Sequence, residues 1–128
     1  NMILRNNEVI GILDWELSTL GHPIADFSYH CLSWRTQEAF WDEAKLKELG
    51  IPSEKEYMEM YCKYSGKDLS KNWEFYMAFN MFKIAGILQG ILGRVRDGTA
   101  ASKHAEERGN MVFPLSQAAW ETIEDNFL

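Results

Sequence analysis

The sequence predicts a mainly α-helical body with one β-hairpin at its N-terminal end. Three observations carry that prediction. Two apolar runs, Met2 to Leu4 and Val9 to Leu13, flank Arg5-Asn6-Asn7-Glu8. Asparagine tolerates the left-handed backbone, so the Asn pair suits a tight two-residue turn. From Pro23 onward apolar residues recur at helical spacing. Finally, the stretch from about Asn72 to Arg96 is apolar on nearly every side, which marks the central helix of a helical body.

The totals agree. A chain of 128 residues is one domain or a large piece of one, and at this size roughly two thirds of the unfolded surface can be buried. Hydrophobic residues make up 46% and aromatics 13%, so a packed core is expected rather than disorder. Nineteen acids against 13 bases give a formal charge of −6. That opposes a general nucleic-acid binder, which needs a basic face to neutralise phosphates. A metal-bridged nucleotide stays open, because the ion brings the positive charge. Cys31 and Cys62 match neither a zinc spacing nor a disulfide framework, so reduced thiols and a cytoplasmic location are expected. Residues 1–15 lack the basic and then continuously apolar regions of a signal peptide. Trp73 to Val95 is the one membrane candidate, but Glu74, Asn80, Lys83 and Gln89 interrupt it, so a buried helix and no membrane partner are expected.

In chain order, the hairpin comes first. A lone hairpin is marginal in water, so it is expected to lie on the helical body. Pro23 suits a first helical turn, and Ile24, Phe27, Cys31 and Trp34 form the buried stripe, widened by Tyr29 and Leu32. Thr36 to Leu49 reads as a helix or an ordered loop, with Phe40, Ala44 and Leu46 on one face and Gly50 and Pro52 as its stop. Ser53 to Glu56 spells a capping box and opens a helix with Tyr57, Met60, Tyr61 and Tyr64 on one side, closed by Gly66. The polar link Lys67 to Lys71 leads into the long helix, which Asp97-Gly98 ends. Thr99 to Phe127 is a last helical region that Pro114 should break or kink near Phe113. The sum is one hairpin and four or five helices.

Chemistry concentrates in Val9 to Asp26. Its apolar strand stops on Asp14, and a strand that delivers a carboxylate at its end is a common way to hold a metal or a substrate. An Asp capping the turn is the plainer alternative. Hairpin pairing sets the residue before the first strand beside the residue after the second. Asn1 and Asp14 should therefore converge, an amide oxygen and a carboxylate suited to Mg²⁺, which keeps water and substrate phosphates in its other positions. Asn1 is also explained as a cloning residue ahead of a native Met2. Glu16 either reaches such an ion through water or simply faces solvent. His22, His30 and Cys31 do not make a zinc site, since only two can share a helical face and no fourth ligand is near.

The stretches NMIL and VIGILDWELSTLGHPIADFSYHC resemble the aminoglycoside-phosphotransferase-like kinases, in particular the branch that also occurs fused to acyl-CoA dehydrogenases. The resemblance continues through GIPSEKEYMEMYC, NWEFYMAFNMFKIAGILQGIL and GTAASKHAE, nearly the whole chain. It implies that residues 1–128 are the later C-lobe portion of a protein-kinase-like fold, with residues 1–14 the metal-binding hairpin and 23–128 a helical subdomain. It further implies that Asn1 and Asp14 hold Mg²⁺ against the phosphates of ATP, and that Asp26 braces the catalytic loop as a structural residue. The family's Gly-rich loop, anchoring lysine and H-G-D tripeptide are absent, the last expected just upstream of Asn1. His22 stands where relatives often carry an acid. Family C-terminal helices wall the acceptor pocket, which makes Tyr76, Asn80, Lys83, Gln89 and Arg94 candidate substrate contacts. Packing or, for Arg94, the helix dipole is the plainer explanation of each.

The expected function is phosphoryl transfer from ATP to a hydroxyl of a small molecule, a hydroxyacyl-CoA-type metabolite being one class that the dehydrogenase-fused relatives suggest. The fragment alone is expected to be inactive and to self-associate through the surface that a missing lobe would cover. The competing readings are a non-catalytic helical module that binds an apolar ligand or partner, and a degenerate pseudokinase.

Overall fold

The computed structural model of the chain describes residues 1–16, 18–36, 43–69 and 71–128. Strand β1 (Met2–Arg5) pairs antiparallel with β2 (Glu8–Ile12), with Met2 opposite Ile12, Ile3 opposite Gly11, Leu4 opposite Val9 and Arg5 opposite Glu8. The register slips between Ile3 and Leu4, so Ile10 is an extra, bulged residue. Asn6 and Asn7 take φ of 49° and 64°, the doubly left-handed turn that fits the twist of a hairpin.

One expectation fails here. The hairpin does not lie on the helices: every strand residue except Gly11 is exposed, with Met2 at 64% and Ile12 at 55%. Its shape is set locally instead, by the two Asn residues in the turn, the strand ladder and a clamp at the open end.

Helix α1 (Pro23–Cys31) starts with Pro in its first turn and tightens after Cys31 into a 3-10 turn, Leu32–Trp34. Helix α2 (Glu43–Glu48) is short, and the proposed Phe40 contact lies outside the described residues. Helix α3 (Glu54–Ser65) carries the full capping box: the Ser53 hydroxyl accepts from Glu56 N–H while the Glu56 carboxylate accepts from Ser53 N–H at 2.8 Å. Gly66 closes it at φ 67°. The α3 face turned inward is Tyr57, Met58, Tyr61 and Cys62, whereas Met60 and Tyr64 point outward. That is a shift of the expected stripe by a fraction of a turn, decided by Phe27, whose ring stacks on Tyr61 at 3.8 Å.

Helix α4 (Trp73–Arg96) packs against α1, α5 (Ala105–Gly109) and α6 (Val112–Phe127), which makes it the axis of the body. It is not covered all round. Trp73, Met77, Ala78, Asn80, Met81 and Ala85 are buried, while Phe75, Phe79 and Phe82 stand exposed along the opposite face. Against α5 the approach is so close that a Cβ on Gly109 would sit 2.4 Å from Leu92 Cγ. Pro114 neither breaks nor kinks the last helix. It occupies the first turn of α6, where backbone N–H groups have no intrahelical acceptor and a missing one costs nothing. The described residues thus hold six α-helices, two of them short.

Candidate functional site

The hairpin's open end brings its two termini together. Leu13 N–H donates to Asn1 C=O at 2.9 Å, and Asn1 Nδ2 donates to Asp14 Oδ2 at 2.8 Å. Directly after the strand the backbone of Asp14 turns left-handed, φ 69°. Aspartate enters that region more readily than most residues, but the conformation still disfavours any residue with a Cβ. The next residues lock the bend. Trp15 Nε1 donates to Ile12 C=O at 2.7 Å, and both Ser18 N–H and Ser18 Oγ donate to Trp15 C=O. A continuous strand would carry the acid along the ladder, whereas this bend turns it toward Asn1.

The donor set suits a hard divalent cation: one carboxylate and one amide, both exposed, with Asn1 the one partner of the carboxylate among the described residues. Two protein ligands are few, which matches Mg²⁺ held largely by water and phosphate rather than a caged structural ion. No cluster of three His, Cys, Asp or Glu capable of holding a metal occurs among the described residues. Glu16 is exposed in the following turn.

Asp26 sits exposed in the first turn of α1. The cap is made by a different residue: His22 Nδ1 accepts from Ile24 N–H at 3.3 Å while its ring stacks on Tyr76 at 5.0 Å. His22 therefore links the site-bearing turn to α4. Tyr76 is half-buried under that stack. Lys83 lies exposed with its ammonium 5.0 Å over the Tyr29 ring, a cation–π contact. Gln89 and Arg94 are exposed, so neither needs an internal partner. The reading of Lys83 and Gln89 as polar interruptions of a buried face is thus corrected: the face they occupy is open to solvent.

Asn80 is placed elsewhere altogether. At 1% exposure its Nδ2 donates to Ala25 C=O and to Ser28 Oγ, each at 2.8 Å. Both amide hydrogens are used in bracketing α4 to α1, and the side chain faces the core rather than a pocket.

Sequence reasoning missed Arg35. Its guanidinium takes Glu54 at the start of α3 through Nε at 2.9 Å and grips both oxygens of Glu74 on α4. Hydrogen bonds to the two carboxylates raise its pKa against the desolvation that opposes them. Three elements far apart in sequence meet there, which no local pattern signals. A cleft of about 400 Å³ beside it is lined by Arg35, Glu74, Glu121 and Asp125 among others, and none of its lining residues belongs to the Asn1–Asp14 end.

Comparison with known proteins bears on the whole arrangement. The model of the phosphotransferase enzyme family matches residues 1–61, from the hairpin into α3. The fold of the full chain follows suit: a crystal structure from Ralstonia eutropha assigned as an aminoglycoside phosphotransferase superposes with a TM-score of 0.83 at 44% identity, covering 98% of this chain and 40% of that one. Mouse acyl-CoA dehydrogenase family member 10 is 41% identical over 119 residues, 89% of this chain. Human acyl-CoA dehydrogenase family member 11 is 35% identical over 133 positions, 99% of this chain. The chain spans only 11% and 17% of the length of these two relatives. It therefore has the kinase-like helical fold with its N-terminal hairpin, and it corresponds to a segment within much longer proteins.

Proposed function

We propose that this chain supplies the metal-holding part of an ATP- and Mg²⁺-dependent kinase that phosphorylates a hydroxyl group of a small molecule. The observation that supports it best is the meeting of Asn1 and Asp14 at the hairpin's open end, within the segment that the phosphotransferase family model matches. Mg²⁺, when bound, would neutralise charge on the nucleotide phosphates. The chain's own residues do the rest. Asp14 contributes the anionic oxygen, Asn1 the neutral one, and the bend locked by Trp15 and Ser18 holds the acid at the strand's end. Asp26 and Glu16, both exposed near this end of the chain, are proposed as bracing and water-mediated groups.

The acceptor wall is proposed along the seam of α1 and α4, where Tyr29 and Lys83 are exposed and Tyr76 is half-buried. Gln89 and Arg94 extend that surface toward the end of α4; Asn80, used up by α1, is left out. An apolar seam with one ammonium suits an amphipathic, negatively charged acceptor, in keeping with a hydroxyacyl thioester. The chain by itself is proposed to be inactive. A cytoplasmic location, with no nucleic acid or membrane as partner, completes the reading. The exposed apolar residues of the hairpin and of α4 favour self-association of the isolated chain.

The test is Mg²⁺-dependent ATP consumption by the gene product that contains these residues, assayed over hydroxylated acyl thioesters. Asp14→Ala should lower kcat by about 100-fold or more, with unchanged thermal stability. An unchanged rate would remove Asp14 from the chemistry. No turnover with any acceptor, alongside intact apolar-ligand binding, would favour the non-catalytic helical module.

A further inference from the structure

Helix α3 is attached to the body differently from α1, α4 and α6. None of its residues is buried, although Tyr57, Met58, Tyr61 and Cys62 rest on the core. Its hold consists mainly of rings laid on rings. Phe27 stacks on Tyr61 at 3.8 Å, and Tyr57 lies 5.2 Å from Phe27 and 5.3 Å from Trp34. Such pairs add little beyond the area they bury, and here that area is only partly covered. Both ends of the helix are joints. Pro52 and the Ser53 cap precede it, and Gly66 at φ 67° follows it, before a link that ends on left-handed Asn72. Among the described residues the backbone hydrogen bonds of α3 stay within the helix and its own caps, so lifting it breaks no ladder.

Arg35 decides which partner stays behind. Its Nη1 and Nη2 hold both oxygens of Glu74 on α4, while Nε alone serves Glu54, shared between the two oxygens at 2.9 and 3.0 Å. When α3 leaves, the guanidinium keeps its two-donor grip on α4, and the bond to Glu54 is the one that opens. Both partners are partly open to solvent, so salt screens the pair. One feature beneath the helix favours opening. Trp73 belongs to the core cluster on which α3 rests, and its buried Nε1 has no acceptor among the described residues. A buried N–H without an acceptor is unfavourable, and water admitted by an open α3 supplies one.

We propose that α3 is a hinged lid, latched by the Arg35–Glu54 ion pair, which opens as one unit over the apolar slot of Phe27, Leu69 and Trp73 while α1, α4 and α6 stay folded. The inference is independent of the metal-holding role proposed above. The slot is already breached at one edge, where a cleft of about 380 Å³ runs along Met58, Cys62 and Leu69. Opening widens that cleft into the core cluster and turns its apolar floor toward solvent.

The test is native-state hydrogen exchange on the 128-residue chain, resolved by residue with NMR at rising urea below the unfolding transition. The amides of Tyr57 to Lys63 should share one level of protection and one urea slope. Both should be smaller than those of Met77 to Ala85, with protection lower by about 100-fold or more. Glu54→Gln should speed exchange in α3 by about three- to tenfold and leave α4 unchanged. In the natural chain, raising NaCl from about 0.05 to about 0.5 M should act in the same direction on α3 alone. Amides of α3 that match α4 in protection and slope overturn the lid, since the two then unfold together. Graded protection without a urea slope also overturns it, because that is fraying from the helix ends. So does an α3 that ignores both Glu54→Gln and salt, since the latch then lies elsewhere.

Discussion

The hairpin and the α1–α3–α4 core are built on opposite principles. The hairpin is exposed on both faces and owes its shape to backbone chemistry: two left-handed Asn residues, a bulge at Ile10, and a bend at Asp14. The helical body uses left-handed residues only at element ends, Gly66 and Asn72 among them, and its core is set by side-chain packing. Phe27 packs among Tyr57, Tyr61 and Trp73, Asn80 brackets two helices, and Arg35 joins three elements. The difference teaches where this chain separates function from stability. Groups proposed to meet metal and phosphate sit on a ribbon that the core does not support. A change in either region should therefore leave the other nearly untouched.

Several substitutions test that separation. Largest in the core is Asn80→Ala, which leaves a gap and strips the bonds to Ala25 and Ser28. It should cost about 2–3 kcal/mol in chemical denaturation, with Mg²⁺ binding at Asp14 unchanged. Gly109→Ala comes next, because its new Cβ would overlap Leu92 and force α5 away from α4. A loss of about 1–3 kcal/mol is expected, and a variant as stable as the parent would show that the α4–α5 contact is soft. In the hairpin, Asn7→Val puts a β-branched residue at φ 64°. It should weaken the ladder by about 1–2 kcal/mol, seen as faster amide exchange in β1 and β2 with no change in the core's unfolding midpoint. A shared shift of both would sink the separation.

The smallest effect concerns pH. Bonds from the Ser53 backbone N–H and hydroxyl hold the Glu56 carboxyl below its ordinary value of 4.5. A lowered folded pKa means that the capping box stabilises α3 fully above pH 4.5 and loses its contribution as the pH falls through the lowered value. Ser53→Ala should flatten that acid limb of the stability curve, with little effect at pH 7 on the hairpin. The Cys31 thiol, pushed up to about 12 chiefly by burial, should stay unmodified by alkylating reagents at pH 8 while half-buried Cys62 reacts.

Much of this molecule was legible in the sequence because its signals are local. Asn6-Asn7 named the turn, Ser53 and Glu56 named a helix start, Gly66 and Gly98 named helix ends, and the count from Asn1 to Asp14 placed two side chains together. Each depends on a few neighbouring residues and on backbone geometry that those residues alone restrict. What tertiary structure decided was which side of an ambiguous element faces inward. The long helix offered apolar residues all round, and only packing against α1 and α6 made Asn80 a core bracket and left Phe75, Phe79 and Phe82 outside. Pro114 could break a helix or begin one, and α5 ending at Gly109 determined that it begins one. Arg35 found its two carboxylates across 19 and 39 residues of chain. Burial depends on what lies opposite, and a sequence read along its own length does not contain the neighbour.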